Sequence, residues 1–181
     1  LVTTRQKRLG STFKHHPVRV LPPDAAKELL IKLGVDPTAQ GFDALLKHLD
    51  GHALALELSG SYLREFADES PLEYLGQLLA GEDPGVEVVN DLGRYRHTVH
   101  QALQVIWERC DPEIRHAWQI MAQFAAEPVS PGLLKACGLN RDWRGLQKLS
   151  LIDETGGGWK RMHRLVLAFG RRGDTNEAAI E

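Results

Sequence analysis

The 181-residue chain contains no Gly-x-x-x-x-Gly-Lys-Ser/Thr run, which excludes a phosphate loop of that type within it. It lacks a Gly-x-Ser-x-Gly or comparable nucleophile setting, and its carboxylates are scattered, so no independent catalytic activity is expected. There are two cysteines, Cys110 and Cys137. They sit at helical positions without a ligand pattern, which argues against a disulfide framework and for two small buried thiols in a reducing cytoplasm. No signal peptide and no apolar run long enough to span a bilayer is visible, so neither membrane nor export is expected. A formal charge of -2 argues against a protein that works mainly by embracing nucleic acid.

What is present favours helix. Hydrophobic residues make up 43% of the chain, mostly Leu and Ala with few β-branched runs. The length allows one or two domains. Positive charge is concentrated at two edges. Arg5, Lys7, Arg8, Lys14 and Arg19 fall among residues 1–20, and Lys160, Arg161, Arg164, Arg171 and Arg172 among residues 159–173, with no acid in either stretch. These are either solvated basic edges or two edges that face an anion.

Along the chain, Leu1 to Thr4 reads as a strand end, followed by a basic linker to about Arg19. Because the chain starts without Met in what looks like a strand end, a domain cut from a longer protein is expected. Asp24 opens a helix with Ala26, Leu29, Leu30 and Leu33 on its face, ending at Gly34. Phe42, Leu45, Leu46 and Leu49 mark a second, stopped at Asp50-Gly51. A third runs from His52 to Phe66, and Ser70-Pro71 caps a fourth whose face is Leu72, Leu75, Leu78 and Leu79. Gly81 to Gly93 reads as a linker. Beyond it, Val99, Ala102, Leu103, Ile106 and Cys110 form a stripe. Asp111-Pro112 caps a helix with Ile114, Ala117, Trp118, Met121, Ala122 and Ala125. Ser130-Pro131 caps another, and Asn140 starts one with Trp143, Leu146 and Leu149. The period then shortens: Leu151-Ile152, a triple-glycine turn and Trp159 to Met162 predict a β-hairpin, before helix returns from His163 to Arg172.

The expected architecture is therefore mainly α: a small four-helix bundle over residues 21–88, then a winged-helix domain over 89–173 with one short β-hairpin. Residues 1–20 would be the strand end and linker, and 174–181 a tail.

Three short strings, weak singly, gain weight from their order. They are Leu1-Val2-Thr3-Thr4-Arg5, Gly51-His52-Ala53-Leu54-Ala55-Leu56 and Met162-His163-Arg164-Leu165-Val166. Together they resemble the second half of a signal-transducing STAND ATPase of the NB-ARC type, over essentially the whole chain. In that family a strand ending Thr-Thr-Arg carries a sensor arginine that reads the γ-phosphate, a role the resemblance gives to Arg5; a guanidinium fork suits phosphate oxygens. Gly51, Ala53 and Leu54 align with a Gly-Leu-Pro-Leu-Ala-Leu motif whose proline packs on adenine; here Ala53 stands in place of that proline. Met162-His163-Arg164 resembles the Met-His-Asp motif, whose histidine holds the β-phosphate of ADP, and Arg164 replaces the aspartate. Met-His-Arg-Leu-Val is similar to bacterial members that carry tetratricopeptide repeats downstream.

The resemblance implies a regulatory, ADP-clamping half of a nucleotide switch, with no catalysis of its own. The implied cofactor is ADP or ATP, with magnesium supplied by a phosphate-loop domain elsewhere in the parent chain, and no tight binding by this piece alone. Implied partners are that domain, a downstream repeat sensor and further copies of the parent on activation. Two alternatives remain open. A winged-helix DNA reader would use Arg141, Arg144, Gln147 and Lys148 in the major groove, with Lys160 and Arg161 on phosphate. A protein-interaction scaffold would carry the motifs as vestiges. His48 and His52, at i, i+4, have no third ligand nearby and a glycine between them, so zinc is not expected; His15-His16 and His97-x-x-His100 offer no better set.

Overall fold

The computed structural model describes residues 19–80, 91–139 and 143–177, with side chains described up to Arg171 apart from residues 91–94. The expected Thr3-Thr4-Arg5 strand end, the linker over 81–90 and the helix start at Asn140 lie outside the described residues. Among those described, the chain is mainly helical, with nine α-helices and one two-stranded antiparallel hairpin.

Helices α1 (Pro23–Lys32), α2 (Phe42–Leu49), α3 (Ala53–Glu65) and α4 (Pro71–Ala80) come first. Helix α1 begins with Pro23 and has Asp24 in its first turn, where the proline lacks no needed N–H and the acid faces the positive helix end. Helix α4 starts with a reciprocal cap. The Ser70 N–H donates to Glu73 Oε2 at 2.8 Å, and the Glu73 N–H donates to Ser70 Oγ at 3.2 Å. Its buried face differs from the expected leucine stripe. Pro71, Tyr74, Leu75 and Leu78 are buried, whereas Leu72 and Leu79 are exposed. The reason is Tyr74, whose ring stacks on Tyr62 at 4.6 Å and whose hydroxyl shares a hydrogen with Ser59 Oγ at 3.0 Å. Helix α3 packs tightly on the α1 end: a Cβ at Gly60 would stand 2.6 Å from Leu33 Cδ1.

Helix α5 (Asp91–Arg109) takes in the last three residues of the expected linker, Asp91 to Gly93. It packs against α3 and α4 on one side and α9 on the other. Helix α6 (Pro112–Ala122) ends before Ala125, which is exposed. Asp111 holds the N-cap position but makes no side-chain cap bond. Helix α7 (Pro131–Ala136) keeps its cap, with the Leu133 N–H donating to Ser130 Oγ at 3.2 Å. Helix α8 (Trp143–Lys148) leads to strands β1 (Ile152–Thr155) and β2 (Trp159–Met162), paired in the register Ile152↔Met162 to Thr155↔Trp159. Val129 adds a bridge to the other side of β2 through two backbone bonds with Lys160, at 2.7 and 3.0 Å. Helix α9 (Arg164–Glu177) closes the described chain.

Buried apolar side chains from α1 through α9 join in one core cluster. Trp118 is fully buried within it and donates from Nε1 to the Val166 carbonyl at 3.0 Å. Both cysteines are free, Cys110 buried and Cys137 half-buried. No helix among the described residues is long and apolar enough to cross a membrane.

Candidate functional site

The α2–α3 corner is built by two consecutive left-handed residues, Asp50 (φ 47) and Gly51 (φ 69). A side chain at Gly51 would overlap the carbonyl oxygen of Leu21, so glycine there meets both a backbone and a space requirement. The Leu21 N–H donates to the Gly51 carbonyl at 2.8 Å, tying the entry of α1 to this corner. His52 precedes α3 in extended conformation, and its ring lies 5.1 Å from that of Tyr95 on α5. Ala53 is exposed at the first helical position, and Leu54 is half-buried.

His163 stands where β2 turns into α9. Its carbonyl accepts the Leu167 N–H at 3.0 Å, and its ring Nδ1 accepts the Leu165 N–H at 3.2 Å, so the side chain caps the helix it precedes. An Nδ1 that accepts places the proton of the neutral ring on Nε2. The residue is exposed. Partial desolvation holds its pKa below the ordinary histidine value, with Arg164 and Arg161 acting in the same direction and Asp153 opposing them. At neutral pH the imidazole is therefore an uncharged donor through Nε2–H, beside a helix N-terminus and an exposed Arg164.

Two links relate these corners. Tyr95, which meets His52, also feels the charge of Arg164, although burial is the main reason its hydroxyl pKa is raised. Glu57, one turn beyond Ala53, has a carboxyl pushed up by burial and then by Asp153, the same aspartate that acts on His163. These links join His52 to the surroundings of Arg164 through Tyr95, and Glu57 to those of His163 through Asp153. Arg5 lies outside the described residues.

Tyr95, Glu57 and Asp153 were not singled out by sequence reading. Asp153 alone left a signal, since hairpin pairing sets it opposite Arg161, with their charged groups 3.9 Å apart.

Several neighbouring residues have structural employment. Lys160 is buried, ion-paired to Glu154, and its Nζ lies 4.1 Å from the centre of the Trp143 ring; it is not presented for phosphate contact. Lys148 Nζ pairs with Glu65 at 2.9 Å. His48 Nε2 donates to Gln101 Oε1 at 3.3 Å, and the left-handed Asp50-Gly51 break separates His48 from His52. Among the described residues no group of three or more His, Cys, Asp or Glu is placed to hold a metal. A cleft of about 330 Å³ opens between α5 and α9, with Arg96 and His100 at its rim and Val99, Leu103 and Phe169 in its walls. No protein-family model, curated protein or solved structure matches the chain.

Proposed function

We propose that this chain is the regulatory half of a nucleotide switch of the STAND, NB-ARC type. In this reading α1–α4 form the helical-bundle subdomain, and α5–α9 with the hairpin form the winged-helix subdomain. Together they close over ADP held by a phosphate-loop domain of the same parent chain. The observation that carries the reading is the setting of His163. Its ring is exposed at a strand–helix corner, its Nδ1 is occupied by a backbone N–H, and its remaining donor is free to face an anion.

The residues on hand suit the implied ligand. His163 would donate to a phosphate oxygen, and Arg164 would add positive charge in place of the family's aspartate. Ala53 would offer a small apolar surface to a base, without the preset φ that proline supplies. ADP contributes the polyphosphate that makes such contacts possible; the chain's own part is to bind, orient and release. A hydrogen bond from His163 to a charged oxygen is worth roughly 1.5–3 kcal/mol, a 10- to 100-fold bias between closed and open forms. That magnitude suits a reversible clasp. Exchange for ATP would weaken the contact and let the regulatory half swing, passing nucleotide state to a downstream sensor and to other copies of the parent. Hydrolysis would require phosphate-loop and magnesium-binding residues from elsewhere.

The DNA-reading alternative is weaker because Lys148 and Lys160, two of its phosphate and base contacts, are engaged with Glu65 and Glu154. The test is ADP content of the purified parent protein, measured after denaturation, for the parent and for His163→Ala. The expected outcome is a loss of retained ADP corresponding to 10- to 100-fold weaker binding. Undiminished retention and signalling would favour a scaffold, and retardation of DNA that weakens steeply with salt would favour the reader.

A further inference from the structure

Helices α5 and α9 touch at one end and part at the other. Near the end of α5, the Trp107 ring meets Phe169 at 6.1 Å and Trp118 at 5.4 Å. Toward its start the two helices leave an open-sided cleft of about 330 Å³, at the lower end of the size range of small-molecule sites. The cause of the gap is legible in the residues. On the α9 side stands Ala168, exposed and without a side chain beyond Cβ. Nothing there covers Val99 and Leu103 on α5 as Phe169 covers the next turn.

The lining is apolar with charge of one sign. Val99, Leu103, Ala168 and Phe169 supply the apolar walls, and the polar groups are Arg96 and His100; no carboxylate lines the cleft. The His100 ring stands edge-on to Phe169 at 5.1 Å, which extends the aromatic wall. Arg96 is exposed and forms no ion pair among the described residues. Its guanidinium is charged at any physiological pH and offers the fork of donors that suits a carboxylate. Arg96 and Leu103 are seven positions apart on one helix, about 10 Å along its axis. A cation thus stands at one end of an elongated apolar slot. Phe169 already has Trp118, Trp107 and His100 around it, so the wall favours an aliphatic chain over a further stacked ring.

We propose that the α5–α9 cleft is a binding site for a small amphipathic anion, an unbranched aliphatic carboxylate. Its head pairs with Arg96 and its chain lies over Val99 and Leu103, beside Ala168. The chain displaces water that few polar groups hold, and the head neutralises a cation that the fold leaves unpaired. This site is separate from the nucleotide reading and its test contains no nucleotide, so failure here and failure of ADP retention are distinct results.

The test is NMR titration of the 181-residue chain with butanoate, hexanoate and octanoate, each kept below its micelle concentration. Saturable shifts are expected at the cleft residues, with Kd falling about two- to fourfold per added methylene, because an open cleft covers each one in part. Arg96→Gln should weaken octanoate about 10- to 100-fold, the scale of a charged hydrogen bond, and leave octan-1-ol unchanged. Ala168→Leu, a surface change that fills the slot, should abolish binding of both while the melting temperature holds or rises. No saturable octanoate binding, an affinity indifferent to Ala168→Leu, or equal weakening of acid and alcohol by Arg96→Gln would overturn the proposal. The same chemistry is offered by anionic lipid in a bilayer. Flotation with phosphatidylglycerol vesicles by a chain that ignores free octanoate would overturn it too.

Discussion

Gly51→Ala tests whether the α2–α3 corner is held by backbone geometry before any ligand is considered. Alanine at φ 69 adopts a left-handed conformation at a cost of about 1 kcal/mol. Its Cβ would also overlap the Leu21 carbonyl oxygen, so the backbone must shift. The bond from the Leu21 N–H to the Gly51 carbonyl, 2.8 Å long, lies where that shift occurs, and its loss adds about 1–1.5 kcal/mol. The sum is about 2–2.5 kcal/mol. In a chain of this size each kcal/mol moves the midpoint by about 2–4 °C, so Tm should fall by about 4–10 °C in a calorimetric or circular-dichroism melt. Gly76→Ala is the control. It is exposed within α4 with no atom within 4 Å of an added Cβ, and alanine there should stabilise by about 0.5–1 kcal/mol. A Gly51→Ala protein that melts with the parent would refute the reasoning. The corner would then be free to adjust, and glycine at that position would need a different explanation.

Two further outcomes follow from buried and titrating groups. Ser59→Ala removes the partner of the Tyr74 hydroxyl, with both residues fully buried, and should cost about 1–3 kcal/mol in urea unfolding; Ser59→Ala/Tyr74→Phe should recover part of that loss, and no recovery would mean packing dominates the pair. The His163 imidazole should titrate by NMR below the ordinary value of 6.5, and Asp153→Asn should lower it further because that carboxylate favours the charged ring. The native state then binds fewer protons than the unfolded one, so this group's effect is neutral well above pH 6.5 and destabilising as pH falls through the unfolded value. A midpoint at or above 6.5 would remove the neutral-donor assignment.

Much of the helix pattern was legible because its signals are local. Ser70-Pro71 and Ser130-Pro131 mark α4 and α7 through side chains that reach the next turn, and the three glycines mark the hairpin through backbone freedom. The mainly helical class with one short hairpin follows from those signals. Errors arose where distant partners decide. Leucine spacing puts Leu72 and Leu79 on the face of α4, but Tyr74 takes the interior because Ser59 and Tyr62 wait for it on α3. Gly93 looks like linker, yet α5 extends through it, since a long helix with a packed face carries one weak former. The Val129 bridge to β2 leaves almost no trace in a string of mixed residues. At the candidate site, His163 and Gly51 stand out by residue type and position. Asp153, which acts on His163, and Tyr95, which meets the ring of His52, belong to other elements, and only the fold brings them near.

The pairing of Val129 with Lys160 has a consequence for behaviour at high concentration. One side of the ribbon is already occupied by backbone of the same molecule. The opposite side is presented by β1, where Asp153 and Glu154 are exposed and ion-paired with Arg161 and Lys160, so an added strand would have to desolvate charged side chains along that edge. Strand exchange or fibril growth seeded from this hairpin is thereby disfavoured on both flanks, and crowded solutions should remain free of ribbon-to-ribbon aggregates.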